Sequence, residues 1–150
     1  MRRLAPGDVA CWVLKTGLPP ADVVPGWRPG TSHDLVRCVR PSYRLDLMEA
    51  GQPVLLWRSG RNEPGVHAVG AIAGPVVHDA NGPAVPVRLT LLVEPVARAE
   101  LLADPVAHEA EVLRMPAGSN PSWLSRPQYD AVLARVRAGA GAARLGPWTS

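Results

Sequence analysis

The sequence predicts an α+β fold, an open β-barrel of five or six strands with short peripheral helices. Up to residue 95 the apolar side chains come in short runs and alternations of strand length, separated by Gly- and Pro-containing turns. Beyond residue 96 the spacing changes to the i, i+3, i+4, i+7 pattern of a helix face. The chain has 150 residues, 47% of them hydrophobic, which is enough for one core and too little for two. A single domain over 1–150 is therefore expected, with its core at about 9–137 and a small-residue, flexible tail at 138–150 unless Trp148 docks.

The elements follow in order. Val9 to Leu14 is a continuous apolar run closed by Thr16-Gly17, as in a strand buried on both faces, so CWVLKT (11–16) belongs in the middle of the sheet. Residues 17–34 hold four prolines and three glycines, which predicts a long loop with one turn near Ala21 to Val24. Leu35 to Val39 is a short strand candidate, and Tyr43 to Ala50 fits two helical turns stopped by Gly51. VLLWRSGRNEPGVHAVGAIAGPV (54–76) reads as a hairpin turning through Asn62 to Gly65. After a turn at Asp79-Ala80-Asn81-Gly82, the residues Val85, Val87, Leu89, Leu91 and Val93 alternate onto one strand face. Short helices are expected at 97–103 and 108–113. Ser125 to Gln128 has the form of a capping box with Pro in the first turn, opening a longer helix with Tyr129, Val132, Leu133 and Val136 inward.

Composition removes several function classes. No apolar run approaches the roughly 18 residues of a membrane span, and MRRLAPGD lacks a signal-peptide core, so a soluble, cytoplasmic protein is expected. Cys11 and Cys38 sit in apolar runs and read as small hydrophobes, not as a disulfide. His33, His67, His78 and His108 lack metal-ligand spacing, so neither metal nor other cofactor is expected. The formal charge of +3 permits a phosphate-contacting surface without demonstrating one. Lys15 is the sole lysine, and the remaining cations are arginines.

On the hairpin, Trp57 and Ser59 point to one face and Arg58 to the other, which puts an indole beside a hydroxyl. Trp12-Val13-Leu14-Lys15-Thr16 stands in the order in which the first strand of an EVE domain ends. Gly51, Val54 to Leu56, Trp57, Ser59, Gly65 and Gly70 fill that family's turn, aromatic-x-Ser strand and return strand, and Asn120-Pro121 matches the Asn-Pro before the final helix in a subset of its members. Over about residues 9–137 the chain thus resembles an EVE domain of the PUA-like superfamily, related to YTH and ASCH domains. The resemblance implies a PUA-like barrel and recognition of a modified base in DNA or RNA, with Lys15 facing the binding groove. Two positions depart from it: Gln52 replaces the usual Asp, and Arg37 or Cys38 stands where many members carry a pocket aromatic. Either Arg37 takes the place of that aromatic, or Trp27 from the Pro-rich loop supplies the wall, or the pocket no longer holds a base.

The candidate ligand set is Lys15, Thr16, Trp27, Arg37, Trp57, Ser59 and Asn120, with Trp27 and Trp57 as walls, Arg37 or Trp27 reaching into the cleft beside Trp57 and Ser59, and Arg28, Arg37, Arg40, Arg44 and Arg61 available to phosphates. Bland readings stand beside these. Trp12 belongs to the core, Ser59 can simply open the turn, Asn120 can hold the 118–121 turn, and Trp123 can staple the last helix. No catalytic order is evident. An ASCH-like amidohydrolase using Lys15 and Thr16 would need a carboxylate deep beside Lys15, and a protein-interaction domain would need a flat surface around Trp27.

Overall fold

The computed structural model describes residues 3–138, and the expected tail with Trp148 lies outside them. Seven strands form one mixed sheet: β1 (Cys11–Thr16), β2 (Ser32–Cys38), β3 (Pro53–Arg58), β4 (Gly65–Ile72), β5 (Val77–Asp79), β6 (Gly82–Ala97) and β7 (Ser122–Leu124). Their order is β2-β6-β4-β3-β1-β7, with β5 added on β6. Among the described strands only β1 and β3 pair in parallel, so their C-terminal ends emerge side by side. The sheet does not close on itself, and the fold is α+β of the open-barrel kind.

The turn expected near Ala21 to Val24 is the short helix α1 (Pro20–Val23). Alternation along β1 divides the core in two. Cys11 and Val13 join Leu55, Trp57, Val66 and Val96 under the helices α2 (Arg98–Leu102), α3 (Glu111–Arg114) and α4 (Arg126–Arg137). Trp12 and Leu14 join Trp27, Leu45, Val54, Leu56, Val85, Val87 and Leu89 on the other face. Helix α4 begins as expected: Ser125 caps it, with Gln128 N–H donating to the Ser125 hydroxyl at 3.4 Å and Ser125 N–H donating to Gln128 Oε1 at 3.0 Å.

Several expectations are corrected. The segment 43–50 is a single 3₁₀ turn, Tyr43–Leu47, because Pro53 already opens β3 and Gly51 turns the chain at φ 91°. β2 starts earlier, at Ser32. β7 had no signal, since three residues flanked by Pro121 and a helix cap show no period. The staple position before Ser125 is Leu124, which shares a cluster with Tyr129, and Trp123 packs instead toward the opposite face. The regular alternation of β6 breaks at a bulge: between the pairs Ala68↔Leu91 and Val66↔Val96, β6 carries the extra residues, so Leu91 and Leu92 are both buried while Val93 is 48% exposed. Both cysteines are free, but Cys38 is exposed at the sheet edge and only Cys11 is a core residue.

Candidate nucleic-acid interface

The parallel pairing of β1 with β3 brings Lys15 opposite Trp57 and Thr16 opposite Arg58. The pairing continues past the strands, where Ser59 N–H donates to Thr16 O at 2.8 Å. Lys15, Trp57 and Ser59 therefore share the helix-covered face, by the two-residue strand period. The third neighbour is the 115–121 segment. Beyond Val13↔Ser122 the β1–β7 ladder meets Pro121, and the next bond is made by a side chain, Asn120 Oδ1 accepting the Lys15 N–H at 3.1 Å. Asn120 O also accepts from Arg40 N–H at 2.8 Å, so one residue ties β1, β7 and the segment after β2. Lys15 Nζ donates to Pro116 O at 3.3 Å, which leaves two of its N–H groups for other acceptors.

Of these residues Trp57, Ser59 and Pro116 line a narrow cleft of about 60 Å³, together with Gly60, Pro64, Arg98, Val112 and Leu113. Trp57, expected as a pocket wall, is only 3% exposed and belongs to the core cluster under the helices, so it lines the cleft with little of its surface. The opening continues into a shallow groove of about 390 Å³ lined by Gly60, Arg61, Pro64, Arg98, Ala99 and Leu102. Arg98, Leu113 and Pro116 were not among the sequence candidates. They come from the start of α2, from α3 and from the α3–β7 segment, and the pairing Gly65↔Ala97 and the Lys15–Pro116 bond reveal that these parts of the chain face the hairpin.

Three of the expected site residues lie elsewhere. Trp27 is 5% exposed, its indole N–H donates to Thr31 O at 2.9 Å, and its ring meets the His33 ring edge-on at a centroid distance of 5.9 Å. It belongs to the cluster on the opposite face from Trp57, so the two indoles do not form facing walls. Pro-rich sequence around Trp27 suggested exposure, but Trp27 is buried in a cluster with Val85, Val87, Leu89 and Leu91 of β6, against which Val23 and Val24 also pack. Arg37 pairs with Val85 and lies on Trp27's face of the sheet; it does not line the cleft, and its Nε is buried with no hydrogen-bond partner. Thr16 is 7% exposed and its hydroxyl accepts the Leu18 N–H at 3.1 Å, which shapes the exit from β1.

A buried ion pair underlies the site. The Arg44 guanidinium grips Glu111 bidentately at 2.9 and 2.7 Å and also donates to Pro121 O at 2.9 Å, while the Ser122 hydroxyl donates to Glu111 at 2.8 Å. Burial pushes the Glu111 pKa up, but the bonds from Arg44 and Ser122 outweigh it and hold the carboxyl below its ordinary value. Burial, assisted by the guanidiniums of Arg40 and Arg44 against the opposing Glu111, lowers the Lys15 pKa. Gln52, the residue standing in place of Asp, fills its position with three bonds: Oε1 accepts from the Trp12 indole at 2.7 Å and from Glu49 N–H at 2.8 Å, and Nε2 donates to Leu47 O at 3.2 Å. Among the described residues no cluster of acids, cysteines and histidines is arranged to hold a metal, and no helix is long and apolar enough to cross a membrane.

No family model matches this sequence, and no curated protein matches it. Solved structures do match in fold. The human THYN1 protein, in complex with 5-methylcytosine containing DNA, is similar over 86% of this chain and 98% of its own, at 14% identity and a TM-score of 0.59. The DUF55 domain of human thymocyte nuclear protein 1 gives 83%, 96%, 16% and 0.57 for the same quantities. A hypothetical protein from Leishmania major gives 85%, 94%, 17% and 0.63. The chain thus has the fold of these proteins, the DUF55 domain among them.

Proposed function

We propose that this chain is a binding module for a modified base in DNA, and that the observation carrying this reading is the small cleft over Trp57 and Ser59. A volume of about 60 Å³ holds only a few water molecules, far below the roughly 300 Å³ at which whole-ligand pockets begin. It suits a ring substituent such as a methyl group, with the ring itself lying across the more open groove. Trp57, Val112, Leu113 and Pro116 supply apolar contact for the substituent. Ser59 Oγ, Lys15 Nζ and the Asn120 amide supply donors for the polar edge of a base. Thr16 acts at one remove, since its carbonyl fixes Ser59. The fold likeness to a protein solved with 5-methylcytosine containing DNA supports the same reading.

The amidohydrolase alternative calls for a carboxylate free to take a proton beside Lys15. Glu111 is near enough to act on Lys15, but Arg44 and Ser122 occupy its oxygens and hold it ionised, which favours a structural role. The protein-interaction reading loses its main contact with the burial of Trp27.

The test is a titration of the purified chain against labelled oligonucleotides carrying one 5-methylcytosine, one other modified cytosine, or cytosine. Burying one methyl is worth roughly 0.8 kcal/mol, so the expected preference is about fourfold or more. Ser59→Ala and Lys15→Gln should shrink that preference at unchanged thermal midpoint. Equal affinity for every modified and unmodified oligonucleotide would overturn the proposal.

A further inference from the structure

The groove beside the cleft has a composition that base recognition does not require. Of its lining residues, Gly60, Arg61, Pro64, Arg98, Ala99 and Leu102, two are arginines and none is a carboxylate. Neither guanidinium has an ion-pair or hydrogen-bond partner among the described residues, whereas Arg44, Arg88, Arg126 and Arg135 all hold carboxylates. Two unneutralised cations lining one concavity repel each other, and an anion between them removes that cost.

The two arginines also stand on one stiff frame. Arg98 N–H donates to Pro64 O at 2.8 Å, binding the start of α2 to the hairpin loop that carries Arg61. Gly65 lets the two backbones come this close, since a Cβ there would sit 2.1 Å from Val96 O. The loop is pinned from below by the His67 ring, whose Nε2 lies 2.7 Å from Glu63 O, and Glu63 itself is held at φ 47°. A frame fixed before binding loses little entropy on meeting its ligand.

We infer that Arg61 and Arg98 form a phosphodiester clamp, and that the DNA strand leaves the base cleft across this groove. The inference rests on the proposed base-binding function for its ligand, and it fixes the direction of the strand. The groove shares Gly60, Pro64 and Arg98 with the cleft, so a nucleotide with its base edge over Ser59 has its backbone within the groove. Arg44, available by sequence, is excluded from this task because Glu111 occupies it. Arg98 takes its place.

The test measures affinity against salt for the full chain, using an oligonucleotide with one modified cytosine and its unmodified twin. Arg61→Gln and Arg98→Gln should each lower the slope of log affinity against log salt by about 0.9 on duplex or 0.7 on single strands. Affinity should fall several-fold at low salt and converge with the parent at high salt. Arg61→Gln should weaken both oligonucleotides equally, and Arg88→Gln, which removes a cation already paired with Asp34, should leave the slope unchanged. An unchanged slope in the double variant overturns the clamp, as does a loss confined to the modified oligonucleotide. If base preference persists while the slope does not move, the clamp fails and the base-binding function stands. If the slope falls with no base preference in any oligonucleotide, the clamp stands and the base-binding function fails.

Discussion

Replacing Glu111 by Gln should destabilise the domain by about 2–4 kcal/mol. Removing one partner of a buried ion pair typically costs about 3–5 kcal/mol because the other charge stays buried and unpaired. Here the Arg44 and Glu111 side chains retain 13% and 19% exposure, so water screens part of that cost and the lower part of the range applies. The variant also sets an amide nitrogen against a guanidinium. For a domain of this size 1 kcal/mol moves the midpoint by about 2–4 °C, so a loss of about 3 kcal/mol lowers Tm by roughly 6–12 °C. The pH dependence has a definite sign. Glu111 is held below its unfolded value near 4.5, so its contribution is present above that value and disappears as the pH falls through the lower, folded one. Urea melts of parent and E111Q should differ fully at pH 7 and converge toward pH 3. A gap below about 0.5 kcal/mol at pH 7, or one that persists undiminished at pH 3, refutes the account of this pair as a stabilising charge contact.

Other outcomes follow from packing. Trp12→Ala should cost about 3–5 kcal/mol in denaturant melts, since the ring is fully buried and its indole N–H is bonded to Gln52. Trp57→Ala should cost a similar amount, about 3–5 kcal/mol, because this ring is core as well as cleft floor; base affinity is therefore better probed by Trp57→Phe. Gly70→Ala should be strongly destabilising, because the added Cβ would lie 1.8 Å from Arg88 O; amide exchange across the β4–β6 ladder should accelerate. Ser125→Ala should remove the α4 cap at a cost of about 1 kcal/mol, read from the urea midpoint.

The parts of the fold legible in the sequence are those where one residue type enforces one geometry. Ser125-Arg-Pro-Gln defined a helix start because each position satisfies an otherwise orphaned backbone group. The run from Cys11 to Thr16 defined a strand buried on both faces because it is apolar on both, and the structure buries both; its expected place in the middle of the sheet is corrected, since β1 stands next to the edge with only the short β7 beyond it. Elements fixed by partners were illegible. β7 exists because β1 offers it a ladder, and the β6 bulge exists because the β4 strand beside it is shorter by several residues over the same span. Cys38 looked buried from its neighbours, yet β2 lies at an edge, and edge position is a property of strand order that no local pattern carries.

Legibility of the candidate site divides along the same line, and the division bears on how it works. Trp57 with Ser59 could be read as a pair because strand alternation fixes which side chains share a face, and Lys15 joins them through the parallel register. The second wall could not be read, because it comes from segments about 40 and 55 residues further on, whose approach depends on the Gly65 backbone contact and the Arg44–Glu111 pair. The family's missing aromatic directed attention to Arg37 and Trp27, both of which lie on the other face of the sheet. A cleft with one largely buried indole and a wall of Leu113 and Pro116 offers a base less stacking than two aromatic rings would. Under the proposed base-binding function, discrimination in such a cleft rests on shape at the substituent and on donors at the rim, with affinity supplied by the proposed phosphate contacts. Base preference and salt dependence then belong to different residues, Ser59 and Lys15 for the first and Arg61 and Arg98 for the second, and substitutions in the two sets should combine additively in free energy.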